Sequence, residues 1–270
     1  MVLSTRITVR DIVKMKGREK IAMVTAYDYA MAKLVDQAGV DVILVGDSVG
    51  MVVHGFDTTI PVSMDMMLIH VASVSRARPR ALVVADMPFL SYETSVEEAV
   101  RNAGLLMKAG ADAVKLEGGG EMSDVVRALV RAGIPVMGHI GLTPQRSFLI
   151  GGYRRRGLSE KERDRILEDA RELERAGVFS IVIEYTAADV AGEVTRELNV
   201  PTICIGSGPF CDGQVLVLHD LLGLTEHPPP FAKAYADLRS MIIKAVGEYA
   251  KEVKAGVFPE EKHYFYSKKT

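Results

Sequence analysis

Six short apolar runs in this chain end in residues that a packed core would not choose. Tyr27-Asp28 closes one run, Gly46-Asp47-Ser48 the next, and Asp86 lies near the end of a third. Lys115-Leu116-Glu117, Gly138-His139 and Glu184 follow in the same positions on three more. Burying one unpaired carboxylate is costly, so several together require a cation, protonation or pairing. Asp47, Asp86 and Glu117 are hard oxygen donors with no thiolate or histidine cluster beside them, a set that suits Mg²⁺ better than Zn²⁺. The plainer alternative is that Asp47 and Asp86 cap helices or pair with basic side chains. Lys115 and Glu117, two apart on one strand, point to one side. That lysine either neutralises the acids or contacts an anionic substrate; a Schiff-base role is also conceivable. Glu184 follows Ile181, Val182 and Ile183, an apolar setting that raises a carboxyl pKa toward that of a general base. A further metal ligand or an ion pair is the competing reading. His139 alone reads more readily as a hydrogen-bonded core group than as a catalyst.

These residues need a scaffold that brings successive strand ends together. Eight β-rich runs supply it: 21–27, 41–47, 81–87, 113–117, 135–141, 179–185, 201–208 and 214–219. Helical stretches separate most of them, and near-continuous Val/Ile/Leu runs suit a parallel sheet buried on both faces. The helix over 164–176 is the clearest, with Ile166, Leu167, Ala170, Leu173 and Ala176 on one face. Its other face offers Glu162/Arg165, Glu168/Arg171 and Glu172/Arg175 at i,i+3 spacing. Gly39, Gly110, Gly133 and Gly177, each between a helical stretch and a strand, are expected to end helices in the left-handed conformation. The pattern predicts a single-domain (β/α)8 TIM barrel over 1–270, with active residues at the C-terminal ends of its strands. No GxGxxG follows the first strand, which argues against a dinucleotide fold. Residues 1–20 form an N-terminal helical extension that closes the barrel bottom, with Thr8 capping a helix over 9–15. Residues 231–256 read as the last helix. Residues 257–270 form a tail whose aromatics anchor it on the barrel or on a neighbouring subunit.

Composition narrows the function classes. The 270 residues are 48% hydrophobic with a formal net charge of −2, so no basic field points to nucleic acid. No run of about 18 apolar residues predicts a membrane span, and the first 20 residues lack the apolar segment of a secretory signal. Cys204 and Cys211 read as two reduced thiols of a cytoplasmic protein, Cys204 as packing. Gly118–Gly120 and Gly206-Ser207-Gly208 could bring backbone N–H groups to an anion, though neither has P-loop spacing. The basic stretch Arg154-Arg155-Arg156 suits a polyanionic tail, a mobile flap or a solvated loop.

The stretches TAYDYAMAK (25–33), VGDSVGM (45–51), HGFDTTIP (54–61), ADMPF (85–89), VKLEGG (114–119), GHIGLTPQ (138–145) and DGQVLVLHDLLG (212–223) together resemble the ketopantoate hydroxymethyltransferase family. They run in order from about residue 20 to 225. CIGSGPFC (204–211) departs from the shorter, cysteine-free stretch expected there. The resemblance implies a (β/α)8 barrel that moves a one-carbon unit from 5,10-methylenetetrahydrofolate to 3-methyl-2-oxobutanoate with Mg²⁺. It implies Asp47 and Asp86 as metal ligands with Glu117 beside them, and Glu184 as proton acceptor. It implies Asp47, Ser48, Asp86, Lys115 and His139 as residues around the substrate. It also implies a homo-oligomer, often a decamer, serving pantothenate and coenzyme A synthesis. Two other readings stay open: a Mg²⁺-dependent lyase or phosphonate mutase of the phosphoenolpyruvate type, and a binding barrel without catalysis. The GHIGLTPQ stretch and the lack of a cysteine nucleophile at a loop tip weigh against the lyase. The presence of every expected acid weighs against the binding barrel.

Overall fold

The structure, a computed structural model, describes residues 6–267. Eight parallel strands close into a barrel in chain order: β1 (Ile21–Thr25), β2 (Val42–Val45), β3 (Leu82–Asp86), β4 (Ala113–Glu117), β5 (Val136–Gly141), β6 (Ser180–Glu184), β7 (Thr202–Ile205) and β8 (Gly213–Leu216). Seven of the expected runs contain a strand, most of them shortened at the ends where the chain turns out of the ladder; β8 starts one residue before the eighth run, 214–219, and ends inside it. The chain divides into two compact units, the first ending at Leu218 and the second starting at His219.

Strand parity organises the first unit. Ile21, Met23, Val42, Leu44, Leu82, Val84, Ala113, Met137, Val182, Ile203 and Val215 form one buried cluster inside the barrel. Successive side chains alternate between the faces of a strand. Two residues beyond Val84, Met137 and Val182, the same faces present Asp86, His139 and Glu184. Two and four beyond Ala113 come Lys115 and Glu117. The period that builds the apolar core therefore delivers polar groups into its upper layer.

The helix Val9–Met15 begins at Thr8, as expected, and the Thr8 N–H donates to the Asp11 carboxylate at 3.0 Å. Its Ile12 is completely buried in the interior cluster, so it plugs the end of the barrel opposite the strand ends. Residues 1–5 of the predicted extension and 268–270 of the predicted tail lie outside the described residues.

The helix Glu160–Ala176 buries the five predicted positions and ends at Gly177 with φ of 104°. Gly39, Gly110 and Gly133 take positive φ as well. Arg171 and Arg175 pair with Glu168 and Glu172 at 3.4 and 3.8 Å. The expected Glu162/Arg165 pair does not form. Arg165 turns to Asp169 at 3.0 Å, and Glu162 is taken by Arg156 at 3.3 Å.

Two further expectations are corrected. The last helix is Leu238–Ala255, not 231–256; Asp237 caps it by accepting the Ser240 N–H at 3.1 Å, and Pro228–Pro230 supply no N–H upstream. Cys204 and Cys211 form a disulfide rather than two free thiols. No helix intervenes between β7 and β8, so the short connection brings the two Cα atoms to 5.7 Å, within disulfide reach. Ile203 and Ile205 face the barrel interior, which leaves Cys204 facing outward where a crossover helix would otherwise pack.

Leu173 is buried completely, and a Cβ on Gly138 of β5 would come within 2.9 Å of its Cδ1. Leu173→Ala is expected to cost about 2–5 kcal/mol of unfolding free energy, measured by denaturant titration.

Candidate active site

Asp86, Lys115, Glu117, His139 and Glu184 meet inside the barrel mouth, and Asp47 joins them from the loop after β2. All but Glu184 are almost inaccessible to water, and the Glu184 side chain is 14% exposed. The Asp47 N–H donates to Asp86 Oδ2 at 3.0 Å, which ties the loop to β3. Gly46 leaves the room for this. A Cβ there would lie 2.8 Å from Ser48 Oγ and 3.4 Å from Asp86 Oδ2. Ser48 Oγ shares a hydrogen bond of 2.9 Å with the Tyr27 hydroxyl, while Asp28 caps the next helix by accepting the Met31 N–H.

Among the described residues, Lys115 is the only ammonium beside these acids. Its Nζ lies 2.7 Å from Asp86 Oδ1 and donates to His139 Nδ1 at 3.1 Å. Burial works against its charge, but Asp86, Glu117 and Asp47 outweigh burial and raise its pKa above the ordinary lysine value. Burial and then the Lys115 charge hold His139 well below its usual range, so it is neutral. With Nδ1 accepting from Lys115, the imidazole proton sits on Nε2, 3.2 Å from Glu184 Oε2 but off the line of a hydrogen bond. The nearby Glu117 and Glu184 carboxylates are therefore not ion-paired to this ring.

Burial raises the Asp47 carboxyl to about 7, with Asp86 the next cause. Burial likewise raises Glu184 to about 7, partly offset by Lys115. Glu117 is pushed up by burial and then by Asp47. Four carboxyl groups thus face one ammonium, and full ionisation leaves a net negative chamber. A hard divalent cation fits this donor set. Asp86 Oδ1 meets the Lys115 ammonium at 2.7 Å, while Asp47 and Glu117 each have one oxygen bound by Gln145 and a second that Gln145 does not bind. Among the described residues no three acidic, histidine or cysteine side chains converge as a ready-made cage. Mg²⁺ commonly uses one or two carboxylates and fills its octahedron with water and substrate oxygens.

Three further residues brace the site without any sequence pattern that marks them. Gln145 donates from Nε2 to Asp47 Oδ2 at 2.8 Å, and the buried Tyr92 hydroxyl donates to Gln145 Oε1 at 2.7 Å. Ser207 accepts the Thr186 N–H at 2.9 Å and donates to the Ile183 carbonyl at 2.8 Å, bracing the turn after Glu184, where Tyr185 has φ of 45°. Gln145 lies within GHIGLTPQ and Ser207 within Gly206-Ser207-Gly208, but nothing in either pattern says which way a side chain turns.

In the first of the two glycine stretches, backbone amides are already taken. The Gly120 N–H donates to Asp169 Oδ1 at 3.0 Å, and the Gly119 N–H to Glu121 Oε1 at 3.2 Å. In the basic stretch, Arg156 pairs with Glu162, while Arg154 and Arg155 are exposed. Tyr153, beside them, has its hydroxyl raised to about 12 by burial and then by Glu184 and Asp47.

The sequence profile of the ketopantoate hydroxymethyltransferase family matches residues 6–261. The chain belongs to that family. It is 74% identical over 264 residues to the 3-methyl-2-oxobutanoate hydroxymethyltransferase of Staphylothermus marinus, covering 98% of this chain and 97% of the relative. It is 61% identical over 260 residues to the enzyme of the same name from Sulfurisphaera tokodaii, covering 96% and 97%. Membership makes the chain an enzyme, a hydroxymethyl-group transferase, and sets aside the reading as a binding barrel. Among solved structures, the phosphoenolpyruvate phosphomutase of Streptomyces platensis subsp. rosaceus matches with a TM-score of 0.63 at 16% identity, over 96% of this chain and 91% of that one. Phosphonopyruvate hydrolase, solved with oxalate and Mg²⁺, matches with a TM-score of 0.62 at 13% identity, over 96% and 92%. These likenesses show the shared barrel; the choice between transferase and lyase comes from the family.

The raised carboxyls fix a pH dependence. Glu184, ordinarily at 4.5 and here at about 7, binds its proton more tightly in the folded state. Its contribution therefore removes stability as pH rises from about 4.5 to about 7. Without divalent cations, the Tm is expected to fall across that interval. The infrared C=O band of protonated carboxyl should bleach near pH 7, and Glu184→Gln should remove part of both changes.

Proposed function

We propose that this enzyme transfers a one-carbon unit from 5,10-methylenetetrahydrofolate to 3-methyl-2-oxobutanoate. With one water consumed, the products are 2-dehydropantoate and tetrahydrofolate, a step of pantothenate and hence coenzyme A biosynthesis. The reading rests on family membership and on one observation: a carboxyl held at about 7, Glu184, faces a chamber where acids outnumber the single ammonium. A 2-oxo acid carries its own negative charge, so it enters such a chamber favourably only with a cation. Asp47 and Asp86 would hold that Mg²⁺, with Glu117 beside them. The bound cation supplies Lewis-acid stabilisation of charge on the substrate's keto oxygen.

The chain's own groups do the rest. Glu184, half ionised near neutrality, takes the C3 proton. The resulting carbon nucleophile bonds to the methylene carbon of the folate. Water supplies the hydroxyl oxygen as tetrahydrofolate departs. Lys115 offsets charge on the substrate oxygens and needs no covalent link, since its ammonium is held charged. His139, neutral and bearing its proton on Nε2, offers a donor beside Glu184. Ser48, tied to Tyr27, lines the same mouth.

The enzyme is proposed to work as a homo-oligomer, taken as a decamer. The helix Leu238–Ala255 has no buried residue, and Ile242, Val246, Tyr249 and Val253 repeat along one exposed face. No helix among the described residues is long and apolar enough to cross a membrane. A cytoplasmic site is proposed; there, burial of both sulfurs limits attack on the Cys204–Cys211 bond by small thiols.

Product formation from 3-methyl-2-oxobutanoate and methylenetetrahydrofolate is expected with Mg²⁺ and lost in EDTA. Cleavage of a 2-oxo acid without folate would instead favour a lyase. Glu184→Gln should retain substrate binding by calorimetry yet slow exchange of the substrate C3 proton by at least about 100-fold, within the usual range for a general base. Asp86→Ala should lose affinity for both Mg²⁺ and the 2-oxo acid.

A further inference from the structure

Gln145 stands in the turn after β5 and is buried, 2% exposed. Every polar atom of its side chain is used. Nε2 donates to Asp47 Oδ2 at 2.8 Å and to the Met87 carbonyl at 2.9 Å, and Oε1 accepts the Tyr92 hydroxyl proton at 2.7 Å. Two accepting oxygens on one side and a donor on the other fix the orientation of the carboxamide. The Gln145 backbone N–H donates to Glu117 Oε2 at 3.0 Å. Tyr92, itself 1% exposed, accepts the Glu117 N–H at 3.2 Å. The connections thus run from the Glu117 backbone through Tyr92 and the Gln145 side chain to Asp47. They return from the Gln145 backbone to the Glu117 carboxylate.

This ring joins the loop after β2, the ends of β3 and β4 and the turn after β5. It engages one oxygen of each carboxylate and leaves Asp47 Oδ1 and Glu117 Oε1 without a bond to it. In a dry site such bonds are strong, and they remove rotations that a lone carboxylate would keep. We propose that Gln145, braced by Tyr92, is the positioning residue that holds Asp47 and Glu117 in the orientation that receives a divalent cation. The inference deepens the proposed function and rests on its assignment of the cation to these acids. Gln145 touches neither substrate nor reacting atoms in this role; it acts through Asp47 and Glu117.

The test uses the full-length enzyme without substrate, with Mn²⁺ affinity read by electron paramagnetic resonance. Gln145→Met keeps the length of the side chain and removes all its hydrogen bonds. Tyr92→Phe keeps the ring and removes only the hydroxyl, so it serves should the first variant not fold. Each is expected to weaken Mn²⁺ binding by about 10- to 100-fold, the usual range for a group that orients a metal ligand. Because Tyr92 meets Asp47 through Gln145 and also holds the Glu117 N–H, the double variant should lose less affinity than the two single losses combined. Mn²⁺ affinity within twofold of wild type, with only a lowered Tm, would overturn the proposal and leave a packing role. Additive losses in the double variant would overturn the relay. Wild-type enzyme that binds no Mn²⁺, or binds it equally well after Asp86→Ala, defeats the cation assignment and this inference with it. Loss of binding in Asp86→Ala together with normal binding in both Gln145→Met and Tyr92→Phe defeats this inference alone.

Discussion

The contact between Lys115 and Asp86, 2.7 Å long and nearly out of reach of water, is the interaction on which the barrel mouth depends. It places one positive charge among Asp47, Asp86, Glu117 and Glu184 and lets them share a small volume. Removing one partner of such a pair strands the other as a buried charge, which costs far more than a surface ion pair is worth. The same ammonium acts on His139. Its charge adds to burial in keeping the ring neutral, and by donating to Nδ1 it leaves the ring proton on Nε2, beside Glu184. One lysine thus fixes a carboxylate, a tautomer and the charge balance against which the remaining acids titrate.

The lysine can do this because of strand parity. Lys115 lies two residues above Ala113 and Glu117 two above Lys115, and the register sets Asp86 opposite Lys115 and Glu117 opposite His139. No loop has to be ordered to make those contacts. Asp47 is the exception. It stands beyond the end of β2, held by its own N–H on Asp86 and by Gln145. The more rigid half of the site comes from the ladder; the other half needs side-chain bracing.

That division also explains what could be read from the residues. The eight strands, the cap at Thr8 and the buried face of the helix Glu160–Ala176 follow from local periodicity and turn chemistry, which act over a few residues. The convergence of Lys115, Glu117, His139 and Glu184 follows from the same periodicity once the barrel is assumed. Gln145 and Tyr92 were not legible, because their partners are 25 to 98 residues away in the chain and a lone Gln or Tyr carries no spacing signal. Arg165 chose Asp169 over Glu162 because a neighbouring segment, through Arg156, claimed the latter. The Cys204–Cys211 bond was missed for a related reason. It depends on a crossover without a helix, and that absence is a property of the whole β7–β8 connection rather than of either cysteine.

The filled glycine loop after β4 has a bearing on selectivity. In a barrel that takes phosphorylated acids, free amides at a strand end make a natural seat for the phosphoryl oxygens. Here Asp169 and Glu121 already sit on the amides of Gly120 and Gly119. A phosphate arriving at that point meets two carboxylates instead of bare N–H groups, and it would have to evict an anion in order to bind. The same two carboxylates also meet Arg146 and Arg165, so the loop is closed by the protein's own charges and is latched to the helix Glu160–Ala176 rather than left open to an anion.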